Sequence, residues 1–141
     1  MTLVSSPSSA PREADRASMR GASSTATIAV VVCAYTEARW DELVEAISSL
    51  DTQMRPADEI VLVIDHHDDL LARAVDRFPH VRVIPNSATK GLSGARNSGV
   101  RATSSEIVAF IDEDARATPE WLARIDARLT TDPELLGVGG S

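Results

Sequence analysis

The run Thr27-Ile28-Ala29-Val30-Val31-Val32-Cys33 constrains this chain most. Apolar or β-branched residues stand at consecutive positions, so neither face of such a strand can be wet. The pattern is that of a strand in a mostly parallel sheet with helices covering both sides. Two further runs have the same character, Glu59-Ile60-Val61-Leu62-Val63-Ile64-Asp65 and Glu106-Ile107-Val108-Ala109-Phe110-Ile111-Asp112, and a shorter one spans Val81–Pro85.

Helical periods lie between the runs. Trp40, Leu43, Val44, Ile47 and Leu50 fall on one face of a first helix. Leu70, Leu71, Ala74, Val75 and Phe78 make a second face, closed by Pro79. The segment Leu92–Val100 carries Gly94, Ala95, Ser98 and Gly99, small residues that cost helix propensity and predict close approach to the sheet or to a ligand. Thr118 as N-cap and Pro119 at the first helical position predict a last helix with Trp121, Leu122, Ile125 and Leu129 inward. Alternating strands and helices with short connections imply an α/β, mostly parallel, Rossmann-like sheet flanked by helices. Leu135–Ser141 starts what reads as another strand and then stops, so a truncated domain is expected over residues 26–141.

Residues 1–25 are rich in Ser, Ala and Pro, mixed with Arg12, Arg16, Arg20, Glu13 and Asp15, and lack the apolar core of a signal peptide. They are expected to be a disordered tail. No apolar run approaches the roughly 18 to 20 residues that span a bilayer. A net charge of −7 argues against general binding to nucleic acid, which rests on Lys and Arg meeting phosphates. The single cysteine, Cys33, sits in a strand and permits no disulfide framework, so a cytoplasmic location is expected.

The strand at Ile107 stops at three carboxylates, Asp112-Glu113-Asp114. In an open parallel sheet, ligands bind at the carboxyl ends of strands. Two like charges about 4 Å apart repel by up to roughly 4 kcal/mol at an effective dielectric near 20, so a partly buried cluster calls for a cation or for protonation. Alternation along extended backbone aims Asp112 and Asp114 together and Glu113 to the other side. A solvated acidic turn balanced by Arg116 is the competing reading of the triplet alone.

The turn after the first run, Ala34-Tyr35-Thr36-Glu37-Ala38-Arg39, has no glycine and carries an acid, which excludes a dinucleotide-type Gly-x-Gly-x-x-Gly site there. No Gly-Lys-Ser/Thr phosphate loop occurs either. Tyr35 instead offers an aromatic face to a base, and Asp65 could accept from a ring N–H or a ribose hydroxyl. A diphosphate would then lie near the acidic triplet, with Mg²⁺ or Mn²⁺ bridging carboxylate and phosphate oxygens.

Four segments in order carry a resemblance: Val31-Val32-Cys33-Ala34-Tyr35-Thr36-Glu37, Glu59 to Asp65, Gly91-Leu92-Ser93-Gly94-Ala95-Arg96-Asn97-Ser98-Gly99, and Phe110-Ile111-Asp112-Glu113-Asp114-Ala115 with Pro119-Glu120-Trp121-Leu122. From Thr27 to Ser141 the chain resembles the N-terminal, nucleotide-sugar-binding half of a family 2 glycosyltransferase of the GT-A fold. The resemblance implies transfer of a sugar from a nucleotide-diphosphate-sugar donor to an acceptor hydroxyl on a glycan, a lipid-linked molecule or a small molecule. It implies that Ala34, Tyr35 and Glu37 line the base pocket and that Asp65 touches base or ribose. Arg96 and Asn97 would border the donor, Asp112 and Glu113 would face ribose and diphosphate, and Asp114 would hold the divalent metal, with Asp112 as its expected partner.

Arg96 has a surface salt bridge as its structural alternative, and Asn97 a loop contact. His66 stands where many relatives carry a second acid, and His66-His67-Asp68-Asp69 lacks the spacing of a metal site of its own. The general base of an inverting enzyme of this kind is an acid of the second half and is expected outside this chain. A non-catalytic nucleotide-sugar-binding fragment is therefore the alternative to a complete enzyme. A peripheral seat at the inner face of the membrane is the further expectation for the full-length protein.

Overall fold

A computed structural model describes residues 2–5 and 26–131. In chain order the elements are β1 (Thr2–Ser5), β2 (Ile28–Ala34), a 3-10 turn (Glu37–Arg39), α1 (Trp40–Asp51), β3 (Glu59–Ile64) and α2 (Asp68–Arg77). They continue with β4 (Arg82–Pro85), α3 (Leu92–Arg101), β5 (Ile107–Asp112) and α4 (Trp121–Thr131). The strand order is β1-β5-β2-β3-β4. Strands β5, β2, β3 and β4 run parallel, as the doubly covered runs predict.

Burial follows the pleat. Val30, Val32, Leu62, Ile64, Ala109 and Ile111 point to one face, where they pack with Leu43, Ile47 and Leu50 of α1, Leu70 of α2 and Leu122 and Ile125 of α4. Val31, Val61, Val63, Val108 and Phe110 point to the other, against Ala95 of α3. Full burial of such side chains contributes about 1.5–3 kcal/mol each, which explains why continuous apolar runs, not alternating ones, build this sheet.

The small residues of α3 are used as their composition predicts. A Cβ added at Gly99 would meet both methyls of Val31 and Cγ2 of Val63, and one added at Gly94 would meet the backbone carbonyl of Thr89. The helix thus rests directly on β2 and β3 and on the loop before it.

Three expectations need correction. Residues 2–5, expected within a disordered tail, form β1, which pairs antiparallel with β5 from Thr2↔Phe110 to Ser5↔Ile107. A short β-branched segment can satisfy the N–H and C=O groups that an edge strand leaves open, although its Ser- and Pro-rich flanks hide it in the sequence. The last helix begins at Trp121, not at Thr118–Pro119, because its early N–H groups are capped from elsewhere: Leu122 N–H donates to Gln53 Oε1 at 3.0 Å. Val75, counted on the apolar face of α2, is exposed. The strand expected from Leu135 lies outside the described residues.

Candidate functional site

Strand β2 has β3 on one side and β5 on the other, so the chain reverses its direction of sheet growth between β2 and β5. In this register Cys33 lies opposite Asp112 and Ala34 opposite Ile64, bringing three strand ends level. A cleft of about 490 Å³ opens there, walled by Cys33, Ala34, Tyr35 and Arg39, by Asp65, by Lys90, Gly91, Leu92 and Ala95, and by Asp112, Glu113 and Asp114. This is the crevice position where open α/β sheets bind ligands.

The acidic turn alternates as expected. Asp112 and Asp114 are exposed at the rim, while Glu113 between them is only 5% exposed. Glu113 Oε1 accepts from Arg39 Nη1 at 3.2 Å, and its Oε2 is buried without a partner. Burial pushes the Glu113 carboxyl above its ordinary pKa, Arg39 opposes this, and Asp114 and Asp112 add to the rise. Asp112 Oδ1 lies 3.7 Å from Arg96 Nη2, an exposed pair worth little by itself. Asp114 makes no ion pair among the described residues.

Tyr35 stands 55% exposed on the opposite wall, with the Arg39 guanidinium 5.7 Å from its ring centroid. Leu92, also exposed, faces the same opening. Asp65 is buried at the end of β3, and both of its oxygens already accept: Oδ1 from Asn86 Nδ2 at 2.8 Å and Oδ2 from Gly91 N–H at 2.9 Å. Gly91 holds φ at +123°, a region that favours glycine, and so turns the loop into α3. Burial pushes the Cys33 thiol up to about 12 against the opposing charge of Arg96, which keeps it neutral beside the cleft.

Of the expected donor-site residues, Ala34, Tyr35, Asp65, Asp112, Glu113 and Asp114 therefore meet in one cleft. Glu37 does not line it: its carboxylate turns to Arg73 Nη1 at 3.2 Å, with His67 Nε2 at 3.8 Å, because the 3-10 turn rotates it toward α2. Arg96 reaches the rim through Asp112, and Asn97 is exposed on α3 outside the lining. His67 is a helix cap, its Nδ1 accepting from Leu70 N–H at 3.0 Å, with Asp68 and Asp69 in the first turn where the helix dipole favours acids. Cys33, Arg39, Lys90, Gly91, Leu92 and Ala95 also line the cleft without having been assigned to the donor site from the sequence, where Lys90 reads as an exposed cation. For Arg39 the available signal was its being the sole cation between the first strand and the first helix.

Comparison with known proteins gives the family and the fold. The family model described as Glycosyl transferase family 2 matches residues 29–139. A glucosyl-dolichyl phosphate glucuronosyltransferase of Haloferax volcanii is 29% identical over 117 residues, covering 81% of this chain and 37% of that protein. Glucosyl-3-phosphoglycerate synthase from Mycobacterium tuberculosis, solved in complex with UDP, superposes with a TM-score of 0.60 at 26% identity, covering 82% of this chain and 44% of that one. A mannosyltransferase from Pyrobaculum calidifontis, solved with GDP-Man and Mn²⁺, superposes with a TM-score of 0.55 at 23% identity, covering 70% and 33%. The chain thus spans less than half the length of these relatives. Among the described residues no helix is long and apolar enough to cross a membrane.

Proposed function

The chain belongs to glycosyl transferase family 2, and from that premise we propose that its cleft receives the nucleoside diphosphate of a nucleotide-sugar donor, as the donor-binding part of an enzyme that transfers the sugar to an acceptor hydroxyl. One observation carries the reading. An exposed aromatic side chain, two cations and two rim carboxylates converge on a single cleft at the carboxyl ends of β2, β3 and β5.

Each wall has a task in this reading. Tyr35 offers its ring to the base, and the backbone of Ala34 lies beside it. The carboxylate of Asp65, with lone pairs left on both oxygens, accepts from a ribose hydroxyl or a ring N–H. Arg39 and Lys90 supply positive charge toward the diphosphate, where charge-assisted hydrogen bonds are strongest. Arg96, near Asp112 at the rim, can do the same, and Glu113 accepts a hydrogen bond from Arg39. Glu37 and Asn97 act at most from outside the cleft.

The donor set also fits a hard divalent cation. Asp112 and Asp114 present exposed carboxylate groups at the rim. Mg²⁺ and Mn²⁺ are often held this way, by one or two carboxylates with substrate phosphates and water completing the shell. Bound there, such an ion supplies Lewis-acid stabilisation of the charge that develops on the departing nucleoside diphosphate. The solved relatives carrying UDP, or GDP-Man with Mn²⁺, support the reading by analogy of fold.

Titration with UDP and with GDP, followed by amide NMR, tests it. Saturable shifts are expected at Tyr35, Gly91, Ala95 and Asp112 to Asp114. Shifts absent for every nucleotide, or confined to residues away from the cleft, overturn it. A sugar-transfer or donor-hydrolysis assay on the same chain separates transfer from binding alone.

A further inference from the structure

The loop between β4 and α3, residues 86–91, forms the cleft wall that carries Lys90 and Gly91, yet it has almost no apolar packing of its own. Asn86 is its one buried side chain; Ser87, Thr89 and Lys90 are exposed, and Ala88 and Gly91 are half-buried. Its shape is held by hydrogen bonds that converge on Asn86. The Asn86 amide N–H of the backbone donates to Ile64 O at 2.8 Å, and its Nδ2 donates to Asp65 Oδ1 at 2.8 Å and to Thr89 O at 3.0 Å. Its Oδ1 accepts from Ala88 N–H at 2.9 Å and from Ser98 Oγ at 2.7 Å. Ser98 Oγ in turn accepts from Ser87 N–H at 3.2 Å, and Asp65 Oδ2 accepts from Gly91 N–H at 2.9 Å.

Every hydrogen-bonding site that matters on Asn86 is thus used, inside a site where Asp65, Asn86 and Ser98 are all buried. A fully satisfied buried polar network specifies one geometry, whereas a half-satisfied one is costly. Only a side chain with both a two-proton donor and an acceptor can bridge Asp65, Thr89, Ala88 and Ser98 at once, and the amide provides both.

We propose that Asn86 is a positioning residue for donor binding: through Asp65 and Ser98 it fixes the 86–91 loop so that Lys90 and Gly91 wall the cleft and the Asp65 carboxylate keeps one orientation toward it. The assignment rests on the donor-binding reading above, but the loop geometry can be measured without a ligand. Asn86→Asp places two carboxylates face to face and removes the donor. Asp65→Asn combined with Asn86→Asp restores a donor–acceptor pair of reversed polarity between the two positions, while the new carboxylate oxygen at 86 faces Thr89 O as a second acceptor.

The test is native-state amide hydrogen exchange at Ala88 and Gly91, with UDP affinity measured on the same proteins. Asn86→Asp is expected to speed exchange at these amides and to weaken UDP binding by about tenfold or more, the scale of one buried unsatisfied polar group. The double variant is expected to recover most of the exchange protection at Gly91, and exchange alone is read for it, because Asp65→Asn also alters the carboxylate assigned to the nucleoside. Ser98→Ala, the milder change, should act at the same amides to a smaller degree. Unchanged exchange in Asn86→Asp, or a Gly91 amide that exchanges as fast in the double variant as in the single one, overturns the positioning role. If the unaltered chain binds no nucleotide, the donor reading fails while the exchange data still decide whether Asn86 holds the loop.

Discussion

Arg39 Nη1 lies 3.2 Å from Glu113 Oε1, joining the turn after β2 to the acidic turn after β5 across 74 positions of sequence. Because the Arg39 guanidinium also lies 5.7 Å from the Tyr35 ring centroid, one side chain ties the aromatic wall of the cleft to its carboxylate wall. As an ion pair it is half open to solvent on the arginine side and contributes little to stability. Its geometric effect is larger, since it anchors the middle acid and leaves Asp112 and Asp114 at the rim.

Burial raises the Glu113 pKa, with Arg39 opposing, so the folded chain keeps that proton to higher pH than the unfolded chain does. Stability therefore falls as pH rises from the ordinary Glu range through the raised value, and stays lower above it. Glu113→Gln removes the titrating proton. Thermal midpoints followed from about pH 4 to about pH 7 should decline for the unaltered protein relative to the variant. Parallel profiles for the two proteins would remove Glu113 as the source.

Gly99 is where α3 touches the sheet. A Cβ there would come within 3.1 Å of Val31 Cγ2 and 3.3 Å of Val63 Cγ2, and closer still to Val31 Cγ1. Over-packing of this kind costs about 1–3 kcal/mol, so Gly99→Ala should lower the urea midpoint accordingly while nucleotide affinity of the folded fraction is kept. Gly94→Ala meets the Thr89 backbone, which has less freedom to yield, and should perturb the 86–91 loop as well.

Tyr35 separates binding from folding. It is exposed and lies on the cleft wall, so Tyr35→Ala should change unfolding free energy by no more than about 0.5 kcal/mol. Nucleotide binding should weaken by about 0.5–1.5 kcal/mol, the worth of an aromatic pair beyond its area. Tyr35→Phe should restore it, because the ring makes the contact. Equal affinity in all three proteins would take Tyr35 out of the base site.

The sheet was legible because runs such as Ile28–Ala34 and Ile107–Asp112 are buried on both faces, which leaves an unbroken apolar signature. The cleft was legible in outline for a related reason: Tyr35, Asp65 and Asp112 stand where those runs end. What stayed hidden depends on partners far apart in sequence. Nothing local marks Arg39 as the partner of Glu113, or Gln53 as the cap for α4, 69 positions away. Asp65 could be read as an acceptor, but that its two oxygens are already engaged by Asn86 and Gly91 required the fold. Glu37 shows the converse, since a local motif put it in the donor site and a single 3-10 turn aims it at Arg73.

Metal-assisted donor binding is tested most directly by calorimetric titration of UDP and GDP into the chain with and without Mn²⁺, repeated on Asp114→Ala. Affinity for at least one nucleotide should rise by about tenfold or more with Mn²⁺ in the unaltered protein, as expected for a bridging cation, and the gain should vanish in Asp114→Ala. Nucleotide affinity indifferent to Mn²⁺, or a Mn²⁺ gain that survives Asp114→Ala, would contradict a metal held at the Asp112–Asp114 rim.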